Sequence, residues 1–262
     1  MGLTPPATDF PAASREDWLR RVDAVLKGAG FKTLVSKTAD GIAIEPLYGA
    51  ATGPRAERAA HAPWTVSQRA DHPDGASANL QALDDLANGA TGLTLTFEGH
   101  ASARGFGLAA KDLPRVLDRI ALHAITLRLD GGVAEAKALA AMIAKQPIDP
   151  GRLDVSFGLA SAELAGELAA QGFRGPFLEA DGRPWHERGA SEAQELGAVL
   201  ATAVQHLRAL EKPAPGVTLA AGQDMFLTLA KFRAMRLLWR RVLKRAASPM
   251  SRCAFMAKRA GT

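Results

Sequence analysis

The chain has 262 residues, 47 % of them hydrophobic and 23 % charged, enough for one large α/β domain or two modest ones. No apolar run reaches the roughly 18 residues of a membrane span, and residues 1–10 lack the basic-then-apolar pattern of a secretion signal. Cys253 is the single cysteine, so an internal disulfide is excluded and a cytoplasmic protein is the simple reading.

In chain order, residues 14–27 read as a helix: Ser14 can cap it, Glu16 and Asp17 suit its first turn, and Trp18, Val22, Val25 and Leu26 form one stripe. Gly28 and Gly30 end it, and two β-prone runs at 33–36 and 42–45 flank the Asp40-Gly41 turn. Residues 46–62, rich in Ala, Gly and Pro, read as a linker, which places an N-terminal arm at 1–62 and a second domain at 63–262.

From residue 78 helix and strand alternate. Helices at 78–88, 111–121, 133–145, 161–170 and 192–210 separate strands at 92–97, 124–129, 153–157, 176–179 and 217–220. The helix at 192–210 opens with Ser191 and Gln194 in capping-box spacing. A last helix runs from Asp224 to about 246. From residue 225 onward there are ten basic and no acidic residues, leaving residues 1–224 at a net −5 against the total of +5. Those cations are interleaved with Phe232, Met235, Leu238, Trp239 and Val242, the pattern of an amphipathic helix rather than of a nucleic-acid arm.

Five strands separated by helices predict a parallel sheet with right-handed crossovers, either doubly wound or a (β/α)8 TIM barrel. A closed barrel needs eight strands. About five βα units make only a partial barrel, with unpaired edges that imply a piece of a larger fold or an obligate partner.

Gly105-Phe-Gly107-Leu-Ala-Ala110 matches the glycine pattern of a dinucleotide-binding loop, with Asp130 where a ribose-binding acid would fall. An NAD-binding oxidoreductase domain is therefore the alternative reading. Against it, residues 98–104 separate Phe97 from Gly105, whereas such a turn leaves its strand directly. The loop 181–189 holds His186 after a strand, where a barrel gathers catalytic groups. Its bland reading is a surface histidine held by Glu187 or Asp181. His61, His72, His100, His123 and His206 show no metal-ligand spacing among themselves.

Several stretches resemble the methylmalonyl-CoA mutase family in their order along the chain. They are Leu26-Lys-Gly28, Glu45-Pro-Leu-Tyr48, Pro63-Trp-Thr-Val-Ser-Gln68, Gly92-Leu-Thr-Leu-Thr-Phe97, His186-Glu-Arg-Gly-Ala-Ser191 with Gln194-Glu-Leu196, and Ala230-Lys231 through Leu238-Trp239. The resemblance implies a (β/α)8 barrel that binds acyl-CoA through its centre, followed by a cobalamin-binding domain, in an enzyme that interconverts methylmalonyl-CoA and succinyl-CoA by a radical rearrangement.

Carried over by residue, the resemblance matches Thr65 and Gln68 to substrate-binding positions and His186 to the histidine that hydrogen-bonds the thioester carbonyl. Arg69 stands where the family has its active-site tyrosine, and Tyr48 is the only tyrosine in the chain. Ala62 and Ser67 replace two arginines near the CoA tail, and the cobalamin motif Asp-x-His-x-x-Gly is absent from the sequence. These departures resemble the non-catalytic small subunit of the heterodimeric enzymes. They imply a vestigial His186, little or no acyl-CoA binding, no metal and no cofactor in this chain. Adenosylcobalamin would then belong to a catalytic large-subunit partner that the arm embraces. The Trp18, Val22 and Leu26 stripe is a candidate partner contact or a surface packed on the chain's own barrel. No nucleic-acid or membrane partner is implied.

Overall fold

A computed structural model describes residues 13–54, 64–210, 213–245 and 255–259, the last stretch for its backbone alone. Ala62 and Cys253, both singled out in the sequence, lie outside the described residues. The chain divides into two compact units, Met1–Gly53 and Pro54–Thr262.

In the first unit, α1 (Arg15–Leu26) starts at a reciprocal cap: the Asp17 amide donates to Ser14 Oγ at 3.1 Å and the Ser14 amide to Asp17 Oδ2 at 3.3 Å. Strands β1 (Ser36–Lys37) and β2 (Ala43–Ile44) pair antiparallel around Gly41, whose φ of 78° suits a residue without a Cβ. The run at 33–36 is mostly not a strand. Phe31–Leu34 is a 3₁₀ turn because the Thr33 amide and hydroxyl both donate to the Gly30 carbonyl, while Phe31 meets the Trp18 ring edge-on at 5.9 Å.

Among its described residues the second unit contains seven parallel strands: β3 (Ser67–Ala70), β4 (Gly92–Thr96), β5 (Thr126–Asp130), β6 (Asp154–Ser156), β7 (Glu179–Asp181), β8 (Gly216–Ala221) and β9 (Phe255–Arg259). Neighbours follow chain order, β3-β4-β5-β6 and β7-β8-β9, and a Leu159–Leu178 bridge links the two runs. The Phe157 amide donates to the Pro176 carbonyl and the Leu159 amide to that of Phe177, each at 3.0 Å, which extends the link.

The expected five strands are thus two short of the observed number. β3 reads Ser-Gln-Arg-Ala and has no apolar run to announce it, and β9 is recognisable only through its pairing with β8. Among the described residues no pairing joins β9 to β3, so the sheet does not close.

Helices α2 (Gly75–Ala87), α3 (Leu113–Val116), α4 (Val133–Ile143), α5 (Ala165–Ala170), α6 (Arg183–Glu187), α7 (Glu192–Ala209) and α8 (Met225–Arg245) connect the strands. The helix expected at 111–121 shrinks to α3, preceded by a 3₁₀ turn at Ala110–Asp112. None of the described helices is long and apolar enough to cross a membrane.

Alternation along each strand sorts the side chains. Leu93, Leu95, Leu127, Leu129 and Val155 join Val116, Leu139, Ile143 and Leu168 in one buried cluster. Val217 and Leu219 join Val199, Met235 and Trp239 in a second. Burial of each such side chain stabilises the fold by about 1.5–3 kcal/mol. The alternate residues, Thr94, Thr96, Arg128, Asp130, Ser156 and Thr218, are polar and also buried.

The sheet is strongly curved. Arg128 of β5 donates to Thr218 Oγ1 of β8 at 2.8 Å, although three inter-strand steps span about 14 Å along a flat sheet. Only a sheet bent with its polar residues on the inner face brings those groups together.

Candidate functional site

The polar face holds a buried ionic network built by strand register. Thr94 stands beside Arg128, Thr96 beside Asp130, and Arg128 beside Ser156. Asp130, 1 % exposed, accepts from Arg183 Nη1 at 2.8 Å and Nη2 at 2.9 Å, from Arg128 Nε at 3.2 Å and from Ser102 Oγ at 3.0 Å. Arg183 also donates to Asp181 through its backbone amide and Nε at 2.9 Å and through Nη2 at 2.6 Å. Glu179 accepts from Arg128 Nη1 and from the Thr218 hydroxyl, leaving its Oε2 buried without a hydrogen-bond partner.

Burial opposes the charge on both arginines. Glu179 and Asp130 outweigh that effect at Arg128, and hydrogen bonds to Asp130 and Asp181 outweigh it at Arg183, so both stay protonated with pKa values above the ordinary one. Buried pairs of this kind contribute little net stability, but the loss of one partner leaves an uncompensated charge and is costly.

Arg69, at the tyrosine position of the resemblance, pairs with Asp71 and donates to the Ser102 carbonyl at 2.6 Å and to that of Ala103 at 3.1 Å. It therefore ties down the segment after β4. Thr65 lies just before β3, its methyl close to Gly92, and Gln68 is exposed. Gln68 registers with Leu93, on the face opposite Ser67 and Arg69.

His186 belongs to α6, a helix where the sequence suggests a loop. Its Nδ1 lies 3.5 Å from Glu195 Oε2, and its ring borders Gly222 beyond β8. Glu195, fully buried, accepts from the Ala220 amide at 2.8 Å and from Lys231 Nζ at 2.6 Å, and Lys231 also pairs with Glu192. Neither of the expected holders is used for His186. Glu187 pairs with Arg104 at 2.9 Å and Asp181 with Arg183.

His186, Glu192 and Glu195 bring three possible metal-ligand atoms within 4.8 Å of one another. The Lys231 ammonium already serves as the cation between the two carboxylates. Sequence reasoning found neither this cluster nor the network around Arg128. A usable signal was present in Thr126-Leu-Arg-Leu-Asp130, where charges alternate with leucines inside a strand.

The glycine-rich loop has a different use from the one its pattern suggests. The Leu108 amide donates to the Thr96 carbonyl at 2.9 Å and the Glu98 amide to that of Leu108 at 3.1 Å, folding the loop back onto the end of β4. Gly107 has a φ of 147°, and a Cβ there would strike the Glu98 backbone. Asp130 is bound by two arginines rather than presented to a ribose.

Parallel strands in chain order, helices on one face and a paired ionic network on the other define an α/β protein with a curved parallel sheet. A family model described as methylmalonyl-CoA mutase matches residues 177–262. The chain belongs to the methylmalonyl-CoA mutase family. It is 36 % identical to the methylmalonyl-CoA mutase small subunit of Streptomyces virginiae over 93 % of this chain and 47 % of that relative. Identity to the probable small subunit of Mycobacterium tuberculosis (strain ATCC 25618 / H37Rv) is 31 %, over 83 % of this chain and 42 % of the relative. The Streptomyces virginiae large subunit is 25 % identical, over 89 % and 41 %. The chain spans about half the length of the curated relatives it matches.

Proposed function

We propose that the chain acts as a non-catalytic small subunit of adenosylcobalamin-dependent methylmalonyl-CoA mutase, supporting interconversion of methylmalonyl-CoA and succinyl-CoA by a catalytic large subunit in a heterodimer. The observation that carries this reading is the state of the polar face. Arg69, Arg128 and Arg183 are each committed to carboxylates of the chain itself rather than presented to a ligand. The greater identity to a small subunit than to the large subunit of the same organism, 36 % against 25 %, supports it.

In this reading residues 63–262 form a partial (β/α) barrel and residues 1–62 an arm, in a cytoplasmic protein. Chain-order parallel strands and strong curvature support the barrel. The paired polar face does not fit an acyl-CoA chain or a corrin, so adenosylcobalamin is assigned to the partner. His186, Thr65 and Gln68 keep family residue types without family work, which accords with a His186 directed at Glu195.

The test is co-expression with a large subunit. The chain is expected to co-purify with it, and the chain purified alone is expected to give no turnover of methylmalonyl-CoA with added adenosylcobalamin. Turnover by the solitary chain, or failure to associate, overturns the proposal. The dinucleotide alternative is not favoured, because its glycine loop packs against β4 and its acid is bound internally.

A further inference from the structure

We infer that Ser102, Arg128 and Arg183 form a carboxylate-binding site that the chain fills with its own Asp130, and that a small monocarboxylate occupies it when that side chain is removed. The inference goes beyond the subunit role and does not depend on the identity of any partner.

The geometry is that of a bound ligand. One planar carboxylate receives the two prongs of the Arg183 guanidinium at 2.8 and 2.9 Å, a third bond from Arg128 at 3.2 Å and a fourth from the Ser102 hydroxyl at 3.0 Å. All of this occurs where Asp130 is 1 % exposed. Donors buried this deeply are costly to leave unmet.

The donors do not rely on Asp130 for their positions. Asp181 holds Arg183 by its Nε at 2.9 Å and by one Nη2 hydrogen at 2.6 Å, which leaves the Nη1/Nη2 edge to Asp130. Thr218 at 2.8 Å and Glu179 hold Arg128, and His100 Nδ1 lies 2.8 Å from Ser102 Oγ. Truncation at Cβ therefore leaves an arranged set of donors around a space the size of one carboxylate. Formate matches that space in the alanine variant, and acetate matches it in the glycine variant. Chloride, a single spherical atom, lacks the two oxygens that bridge the arginines.

The experiment compares thermal unfolding in sodium formate and sodium chloride at equal ionic strength and pH 7. Asp130→Ala is expected to unfold at a lower temperature than the intact chain in chloride. It should recover by about 4 °C in formate at roughly ten times its dissociation constant. The intact chain and the isosteric Asp130→Asn are expected to melt alike in both salts, and adding Arg183→Lys to Asp130→Ala should abolish the formate gain. Equal melting of Asp130→Ala in the two salts, or an equal formate gain in the intact chain, overturns the inference. If Asp130→Ala does not fold in chloride, refolding yield replaces melting: recovery in formate alone supports the site, and recovery in neither salt overturns it.

Discussion

No described side chain between residues 13 and 53 is buried, whereas residues 64–245 bury two apolar clusters and an ionic network. The first unit is held by local devices: the Ser14–Asp17 cap, the Arg15–Glu45 pair at 3.0 Å and the Trp18–Phe31 contact. Exposed pairs and caps each contribute about 1 kcal/mol or less. The second unit rests on leucines packed between sheet and helices, with charges tolerated inside because each has a partner. A segment that buries nothing of its own gains most from a surface supplied by something else, which is the physical case for an arm.

Deep packing should separate the two units most sharply. Phe157 is fully buried and packs against Phe173 and Phe177 at ring distances of 5.1 and 5.9 Å. Phe157→Ala is expected to cost about 4 kcal/mol in urea unfolding, and a loss under about 1 kcal/mol contradicts that placement. Next comes Lys231→Met, which strands Glu195 in a fully buried position and is expected to cost about 3 kcal/mol. Lys231→Arg should recover only part of it.

A smaller effect follows from His206, buried in the last turn of α7 with its Nε2 3.2 Å from the Ala160 carbonyl. Burial pushes its pKa below the ordinary value, only partly offset by that hydrogen bond. The unfolded chain then binds the proton first, so this stability is complete above about pH 6.5 and declines as pH falls through the folded value. His206→Gln should flatten the slope of stability against pH in that window. An unchanged slope there contradicts that assignment, because Asp17 and Asp74, whose pKa values are lowered chiefly by hydrogen bonds from Ser14 and Ser77, lose their contribution only as pH falls below the ordinary carboxylate value.

In the arm, Val25→Ser at a side chain 78 % exposed should change unfolding by no more than about 0.5 kcal/mol. Trp18→Ala is expected to leave the second unit's unfolding unchanged while weakening capture by a large subunit about tenfold or more. Unchanged capture returns the Trp18, Val22 and Leu26 stripe to packing within the chain.

The sequence alone determined what depends on near neighbours: the caps at Ser14 and Ser191, the Asp40-Gly41 turn, the periodic helices α1, α2, α4, α7 and α8, the apolar strands β4, β5, β6 and β8, and the family resemblance at 186–196. Tertiary structure decided the rest. β3 and β9 exist through pairing rather than propensity, and α6 is a short helix against α7. Arg128 finds Glu179 and Thr218 at 51 and 90 residues' distance along the chain. Periodicity and capping act within a turn or two of chain, whereas a buried charge is tolerated only where a curved sheet supplies its partner, and that curvature has no local signature.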